Sequence, residues 1–380
     1  MDIILLLLAI PLIWAFAARY LLPSTIEAGE AAVNSGIAAF VMVAIYCCLF
    51  WSNTRDTEIL NGYVTGKERN KVSCEHSYRC MCVNVCSSDG RGGQSCTEVC
   101  QTCYDHSYDI DWDVYTTVGN LEINRIDRQG LDEPPRWTAV KINEPAAASH
   151  GYTNYVMASP ASLFHSVLSE EELKAKAALL PKPHSVYDYY RVRHTFDINA
   201  NITNIKEWDD QLSLILRQLG ARKQVNITMV FIANQGREYK ELLERAWLGG
   251  KKNEIVIIVG VDGKKISWVE SFSFGKSAGN GMLHVLLRDE LQKLNSVNDA
   301  RAGAAVINGI VAKNFTRQQM ENYKYLADEA GPTEFQIAMM VLVVVLLLIG
   351  GTVYFHKTES GFTSTERFSN FRSQFRRHYY

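Results

Sequence analysis

The sequence lacks a surplus of basic residues. It has 39 Lys and Arg against 41 Asp and Glu, which gives a formal net charge of −2 at pH 7 over 380 residues. A general nucleic-acid-binding protein needs clustered Lys and Arg side chains that neutralise phosphates. We therefore expect no nucleic-acid partner.

The sequence also lacks the short motifs of common catalytic sites. It has no P-loop, no G-x-S-x-G, no H-E-x-x-H and no G-x-G-x-x-G. Gly275-Lys276-Ser277 is not preceded by the Gly-x4 spacing of a phosphate loop. The histidines are scattered without a partner at helical or strand spacing. We assign no catalytic residue, and a non-enzymatic protein is the favoured interpretation.

Charge is missing from three long runs of the chain. Ile337 to Phe355 is apolar, as are Ala31 to Trp51 and Ile3 to Ala18 with its extension to Leu22. An apolar helix of about 20 residues matches the hydrocarbon core of a bilayer and satisfies its own backbone polar groups. We predict transmembrane helices at residues 1–22, 31–51 and 337–355. A cleaved signal peptide is the alternative for the first run, but a basic leading region is missing.

The basic residues near the third run indicate an orientation. The tail, residues 356–380, is rich in arginine, and basic residues beside a membrane span favour the cytoplasmic side. Three spans then place the large middle region outside the cytoplasm, in a periplasm or lumen. Four tail arginines alternate with phenylalanines and suit the surface of an anionic membrane, with a disordered tail as the alternative. They are Arg367, Arg372, Arg376 and Arg377.

Cysteine is concentrated in one segment and in one predicted span, which contains Cys47 and Cys48. A turn-rich linker divides the segment, and period-two spacing before it predicts a β-hairpin with a cysteine-lined face. A helical hairpin is the alternative, because some cysteines are also spaced four apart. An exported segment favours disulfides, with one thiol left over and the pairing unknown. The seven cysteines are Cys74, Cys80, Cys82, Cys86, Cys96, Cys100 and Cys103.

Zinc is the alternative to disulfides. Closely spaced cysteines with a nearby histidine are typical zinc ligands. The alternative set is Cys80, Cys82, Cys100, Cys103 and His106. It would require a cytoplasmic middle region. With disulfides instead, we expect no cofactor.

The sequence as a whole predicts an α+β membrane protein, with three transmembrane helices, a Cys-rich β module and an α/β sandwich domain. The β module covers residues 52–145, including a half-exposed strand at 109–117 with its acids directed outward. A linker region follows at 146–190, with a short helix at 170–180. Residues 191–327 alternate between strands and helices, a pattern typical of helices packed on a sheet. The predicted strands are 192–198, 224–233, 254–261 and 265–274, and the predicted helices are 202–219, 238–247, 282–294 and 300–315.

Residues 192–320 resemble the TPM-domain family of membrane-tethered α/β domains. The resemblance rests on the strand ending in Val230-Phe231-Ile232, the helix closing with Trp247 and Gly249-Gly250, the strand Ile255 to Gly260, and the Asp262-Gly263 turn. It implies a phosphate-ester hydrolase or a factor in the maintenance of membrane complexes. The sequence shows no acidic cluster that aligns with a metal or phosphate site. The first half is also similar to membrane proteins of large tailed phages, which carry no known activity.

These patterns together predict a membrane-anchored, non-enzymatic protein. We expect it to present a disulfide-stabilised domain outside the cytoplasm for binding or envelope assembly. Its expected partners are the lipid bilayer and either another protein or a second copy of the chain. A TPM-like phosphate-ester hydrolase and a zinc-binding membrane module are the alternatives.

Overall fold

The computed structural model describes residues 2–22, 26–88, 94–159, 176, 179–274 and 279–358. The chain forms two compact units. The first comprises Met1–Asp56, Tyr152–Ser166 and Met320–Tyr380, and the second Thr57–Gly151 and Val167–Gln319. Most of the helix predicted at 170–180 and all four predicted membrane-surface arginines lie outside the described residues.

The described helices are numbered in chain order. They are α1 (Asp2–Leu7), α2 (Ala9–Leu21), α3 (Ala28–Thr54), α4 (Pro135–Thr138), α5 (Tyr155–Ala158), α6 (Ile205–Lys223), α7 (Tyr239–Ala246), α8 (Gly281–Gln292), α9 (Ala300–Asn314) and α10 (Glu334–Thr358). The described strands are β1 (Arg55–Val72), β2 (Ser77–Ser88), β3 (Gln94–Tyr104), β4 (Asp109–Thr116), β5 (Gly119–Ile123), β6 (Pro145–Thr153), β7 (Thr195–Ile198), β8 (Asn226–Ala233), β9 (Glu254–Asp262) and β10 (Lys265–Ser273).

The first unit contains the three predicted apolar helices. In the described residues they run over Ile3–Leu21, Ala28–Thr54 and Glu334–Lys357, with lengths of 19, 27 and 24 residues. Each is long and apolar enough to cross a bilayer. The prediction of three such helices is confirmed, and the second and third extend beyond their predicted apolar runs.

The three apolar helices pack on one another through apolar and polar contacts. Met42 of α3 is buried in the same cluster as Met340 and Val344 of α10. The Asn34 side-chain amide donates hydrogen bonds to the Leu348 carbonyl at 3.0 Å and to Thr352 Oγ1 at 3.3 Å. Trp14 Nε1 donates to the same Thr352 hydroxyl at 3.0 Å, so one threonine joins all three helices.

The second unit contains a four-stranded sheet in the order β5-β4-β1-β6. β1 pairs with β4 and β4 with β5, both antiparallel. Alternation in β4 directs Ile110, Trp112 and Val114 to one buried face, where they pack with Tyr190. The strand predicted at 109–117 is confirmed, whereas β1 and β6 have no counterpart among the predicted strands.

The second unit also contains the predicted alternation of strands and helices. Its sheet has the order β10-β9-β8-β7, with β7, β8 and β9 parallel and β10 antiparallel to β9. The chain enters β10 through Gly263, whose φ of +59° suits a turn glycine. α6, α8 and α9 cover one buried face of the sheet, and α7 covers the other. The strand and helix types are confirmed, with boundaries shifted by a few residues.

Candidate functional site

The cysteine-rich segment forms an antiparallel hairpin of β2 and β3. The β-hairpin prediction is therefore confirmed, and the helical alternative is wrong. Three cysteine pairs lie at disulfide-bonding distance across the two strands. They are Cys80–Cys103, Cys82–Cys100 and Cys86–Cys96.

A bulge in β2 determines which cysteines meet. The register shifts between Cys80 and Val83, and Met81 takes a φ of 49° there. Beyond the bulge Cys86 lies directly opposite Cys96, whereas before it Cys80 lies opposite Gln101. The extra residue breaks simple alternation. This is the reason that spacing alone does not give the pairing.

The face of the hairpin opposite the cysteines is apolar and exposed. Val83, Val85 and Val99 alternate with cysteines along their strands, and Val83 is paired with Val99. Val83 is 59% exposed, and Met81 at the bulge is 75% exposed. Because the hairpin buries little apolar surface, cross-links are the natural means of stabilising it.

The seventh cysteine lies where the hairpin joins the first sheet. Cys74 is a free thiol and is buried. It follows β1, His106 lies between β3 and β4, and Asp109 is the first residue of β4. β1 and β4 pair there through Val72 and Asp109. His106 Nδ1 is 3.8 Å from Cys74 Sγ and 3.3 Å from Asp109 Oδ1. The pairing of β1 with β4 thus brings together three side chains with metal-ligating atoms.

The Asp109 carboxylate is held by its other oxygen. Oδ2 accepts hydrogen bonds from the Glu75 backbone N–H at 3.0 Å and from Arg125 Nη1 at 3.3 Å. The Glu75 N–H, together with the charge of Arg125, lowers the pKa of the Asp109 carboxyl. The group is therefore a carboxylate at neutral pH. Arg125 also pairs with Asp111 and lies 3.7 Å from Glu75 Oε2.

In the described structure, four of the five residues of the alternative zinc set are in disulfide pairs. Cys80 and Cys103 form one disulfide pair, and Cys82 and Cys100 form another. A sulfur in a disulfide is not a thiolate, and the thiolate is the form that binds zinc. His106, the remaining member of the set, faces Cys74 and Asp109 instead.

A cavity of about 770 Å³, with both charged and apolar residues in its lining, lies between β6, the segment 187–197 and α6. His194 lines it with a side chain that is only 2% exposed, and its Nδ1 has no hydrogen-bond partner. Asp209 accepts the His194 backbone N–H at 2.6 Å and the Thr195 hydroxyl at 3.2 Å. Burial lowers the pKa of His194 to about 4, so its ring is neutral at pH 7. Charged side chains of both signs also line the cavity, and Lys206 pairs with Asp210 at 2.9 Å. The basic ones are Arg191, Arg193, Lys206 and Arg217, and the acidic ones are Glu144, Asp197, Asp209 and Asp210.

A second imidazole, that of the partly buried His284, contacts two serines. Ser271 Oγ lies 2.8 Å from His284 Nδ1, and Ser273 Oγ lies 2.9 Å from Nε2. Burial lowers the pKa of His284 to about 4. Both ring nitrogens are occupied by hydroxyls, so neither is left for the carboxylate that orients a catalytic histidine. This arrangement favours a structural role.

Comparison with known proteins assigns none of these sites. No protein-family model, no curated protein and no solved structure matches the chain. The sequence pointed to the cysteine hairpin, but it missed the cavity and the grouping of Cys74 with Asp109. Both are built from segments far apart in the chain. The strand predicted at 109–117, which contains Asp109, was the one sequence signal near either of them.

Proposed function

We propose that this is an integral membrane protein that presents the cystine hairpin and the two sheets outside the cytoplasm, for binding and assembly. The three cysteine pairs across β2 and β3 are the observation that carries the proposal. Disulfides persist in the periplasm, in the secretory lumen and outside the cell, whereas cytosolic thiols are kept reduced. The hairpin would lose its main cross-links on the cytoplasmic side.

The three apolar helices support the same arrangement. With all three inserted, the region between the second and third helices lies on the side opposite the C-terminal tail. The tail carries five Lys and Arg residues against two Glu residues beyond the third apolar run, and this bias favours the cytoplasm. The charge bias and the cysteine pairs thus favour the same orientation.

The exposed apolar face of the hairpin supports a binding role. Val83, Val85 and Val99 present a β-branched surface, and such surfaces are suited to contact with another protein or another copy of the chain.

The carboxylate near the end of β7 has a structural role. Asp197 accepts the backbone N–H groups of Ala200, Asn201 and Ile202 at 2.9, 3.0 and 2.7 Å. It therefore stabilises the backbone of the segment that follows β7.

Thiol counting in the purified full-length protein tests the disulfides. We expect Cys47, Cys48 and Cys74 to react with a maleimide after denaturation, and the six hairpin cysteines to react only after reduction. Peptide mapping without reduction should recover the three cross-linked pairs. Nine reactive thiols without reductant, in protein purified with alkylation at lysis, would overturn the proposal.

Protease protection tests the orientation. Sealed right-side-out vesicles are treated with protease, and the fate of an epitope inserted at residues 89–93 is compared with that of an epitope after Tyr380. We expect the inserted epitope to be lost and the tail epitope to survive until detergent opens the vesicles. Loss of the tail epitope alone would place the hairpin in the cytoplasm.

A phosphate-ester hydrolase is the second candidate, and the cavity beside α6 is the observation that favours it. Four basic side chains and a neutral His194, together with four acidic side chains, line one cavity in the region that resembles the TPM-domain family. Cations and a neutral imidazole suit the recognition of a phosphate group. Hydrolysis of p-nitrophenyl phosphate that is lost in His194→Gln and retained in His76→Gln would support it. Equal rates in both variants would remove this candidate.

A further inference from the structure

We propose that Cys74 Sγ, His106 Nδ1 and Asp109 Oδ1 form a binding site for one divalent transition-metal ion, with zinc as the ion that fits these ligands. The site lies at the base of the hairpin and uses none of the six paired cysteines. It differs from the zinc set considered from the sequence in every residue except His106. It does not depend on which side of the membrane the hairpin occupies.

The distances from His106 Nδ1 to the other two donor atoms are close to those of a tetrahedral zinc site. The three atoms lie within 4.8 Å of one another, with 3.8 Å between sulfur and nitrogen and 3.3 Å between nitrogen and oxygen. Zinc bonds of about 2.3 Å to sulfur and 2.0–2.1 Å to nitrogen and oxygen imply edges of roughly 3.3–3.6 Å between ligands in a tetrahedron. The side chains therefore need little movement to hold the ion.

Asp109 supplies a second, independent observation. Its side chain is 0% exposed, and Oδ1 makes no hydrogen bond of regular geometry, although His106 Nδ1 lies 3.3 Å away. Buried polar atoms without a partner are rare in proteins and call for an explanation. The Glu75 N–H and Arg125 bind Oδ2 and direct Oδ1 toward Cys74 and His106. Outer-shell partners orient ligating carboxylates in metal sites in this way.

The surrounding charges favour a cation despite the nearby arginine. Arg125 is shared among three carboxylates, those of Asp109, Asp111 and Glu75. The cluster of four groups thus has a net charge of −2 before the Cys74 thiol is ionised. A divalent ion would balance this excess.

A bound ion also accounts for the odd cysteine. Zinc binds the thiolate, so the Cys74 S–H bond breaks, a Zn–S bond forms and one proton is released to solvent. The thiolate is then held away from exchange with the neighbouring disulfides. His106 is 26% exposed, and we expect a water molecule to take the fourth position. Three protein ligands and one water form a common zinc coordination set.

Metal analysis of the full-length protein tests this site. The protein is purified in detergent with its disulfides intact and without a polyhistidine tag, loaded with ZnSO4, and dialysed before the metal content is measured. We expect about one zinc per chain. Cys74→Ser, His106→Gln and Asp109→Asn should each weaken zinc binding by more than the roughly 10- to 100-fold that loss of an outer-shell partner costs.

His76→Gln is the matched control. The His76 ring lies 6.1 Å from the His106 ring but directs Nε2 to the Arg128 carbonyl at 2.9 Å, away from the site. This variant should bind zinc as the unmodified protein does. Loading with Co²⁺ gives a readout specific to the ligands, because a sulfur-to-cobalt charge-transfer band requires the Cys74 thiolate and should vanish in Cys74→Ser.

Three outcomes would overturn the site. They are protein with three intact disulfides that takes up no zinc, zinc uptake that survives Cys74→Ser, and a cobalt complex without a thiolate band. If Asp109→Asn fails to fold, Cys74→Ser decides the matter, since serine keeps the size of cysteine and has no thiol. Misplaced disulfides or an inverted topology would contradict the proposed function and leave this measurement unaffected.

Discussion

At the scale of single residues, His194 combines deep burial with a role in pH-dependent stability. Its folded-state pKa of about 4 lies below the ordinary value of 6.5 because burial disfavours the charged ring. Asp209 and His184 face it, the first favouring the charge and the second opposing it. As the pH falls, the unfolded chain takes up the proton first. The stabilisation is therefore complete above about pH 6.5 and is lost as the pH falls toward 4, a total of about 3 kcal/mol.

His194→Gln should remove this contribution. We expect the thermal unfolding midpoint of the unmodified protein in detergent to be lower at pH 4.5 than at pH 7. The decrease should be smaller in the variant. His284 titrates in the same range, so the difference between the two proteins is the quantity to compare. His76→Gln serves as the control and should follow the unmodified protein. Identical pH profiles for His194→Gln and the unmodified protein would contradict the prediction.

The sequence identified some site residues and missed others for a physical reason. Clustered cysteines are visible in a sequence because their spacing is local. Asp109 was expected to point outward with the other acids of its strand, yet its side chain is fully buried. It lies against Glu75, His106 and Arg125, which come from the segments on either side of the hairpin and from the segment after β5. Only the pairing of distant segments reveals this.

At the scale of elements, α9 contains a matched pair of glycines. A Cβ at Gly303 would meet the ring of Trp208, which is buried in the core between α6 and the sheet, whereas a Cβ at Gly309 meets nothing within 4 Å. Gly303→Ala should therefore destabilise the second unit by about 1–3 kcal/mol through overpacking. Gly309→Ala should stabilise it by about 0.5–1 kcal/mol, since alanine favours a helix interior.

Chemical denaturation of both variants in the same detergent gives the comparison. Because the two substitutions add the same methyl group to the same helix, any effect on helix propensity is shared between them. The difference isolates the contact between α9 and α6. Equal stabilities would show that Trp208 moves aside without cost.

We expect the hairpin to unfold when its disulfides are reduced, while the sheet that contains β8 and β9 stays folded. Its apolar side chains are largely exposed, so β2 and β3 contribute little to the cores of the two sheets. We expect reduction to speed amide hydrogen exchange in β2 and β3 while β8 and β9, which are buried throughout except at their last residues, stay protected. Mass spectrometry of exchanged peptides measures this. Loss of protection in β8 and β9 on reduction would mean that the hairpin is part of one cooperative core.

The strands show where sequence patterns succeed. β8 and β9 are continuous apolar runs, as expected for strands buried on both faces, and both were predicted. β1 was missed because its 18 residues mix charged side chains with Asn61, Gly62 and Gly66. β6 was missed because proline, alanine, serine and glycine dominate it. Sheet pairing stabilises these two strands more than their own propensity does.

At the scale of the whole molecule, the three apolar helices contact one another through polar as well as apolar side chains. Lipid is as apolar as the helix surfaces, so packing and interhelical hydrogen bonds, rather than the hydrophobic effect, hold such helices together. Asn34, Trp14 and Thr352 provide those bonds between α3, α2 and α10. A polar contact among three helices indicates that they associate in a fixed arrangement.

Two adjacent glycines in α10 test this arrangement. A Cβ at Gly351 would meet the side-chain amide of Asn34, whereas a Cβ at Gly350 meets nothing within 4 Å. We expect Gly351→Ala to destabilise the helix bundle by about 1–3 kcal/mol, and Gly350→Ala to change its stability by less than about 0.5 kcal/mol.

Asn34→Ala should destabilise the bundle by about 0.6 kcal/mol, the average for a hydrogen bond between membrane helices. In the double variant Gly351→Ala, Asn34→Ala the clash is relieved, so its cost should be smaller than the sum of the two single costs. Unfolding with increasing SDS in mixed micelles measures all four proteins, and additive costs would mean that Gly351 and Asn34 do not meet in the membrane.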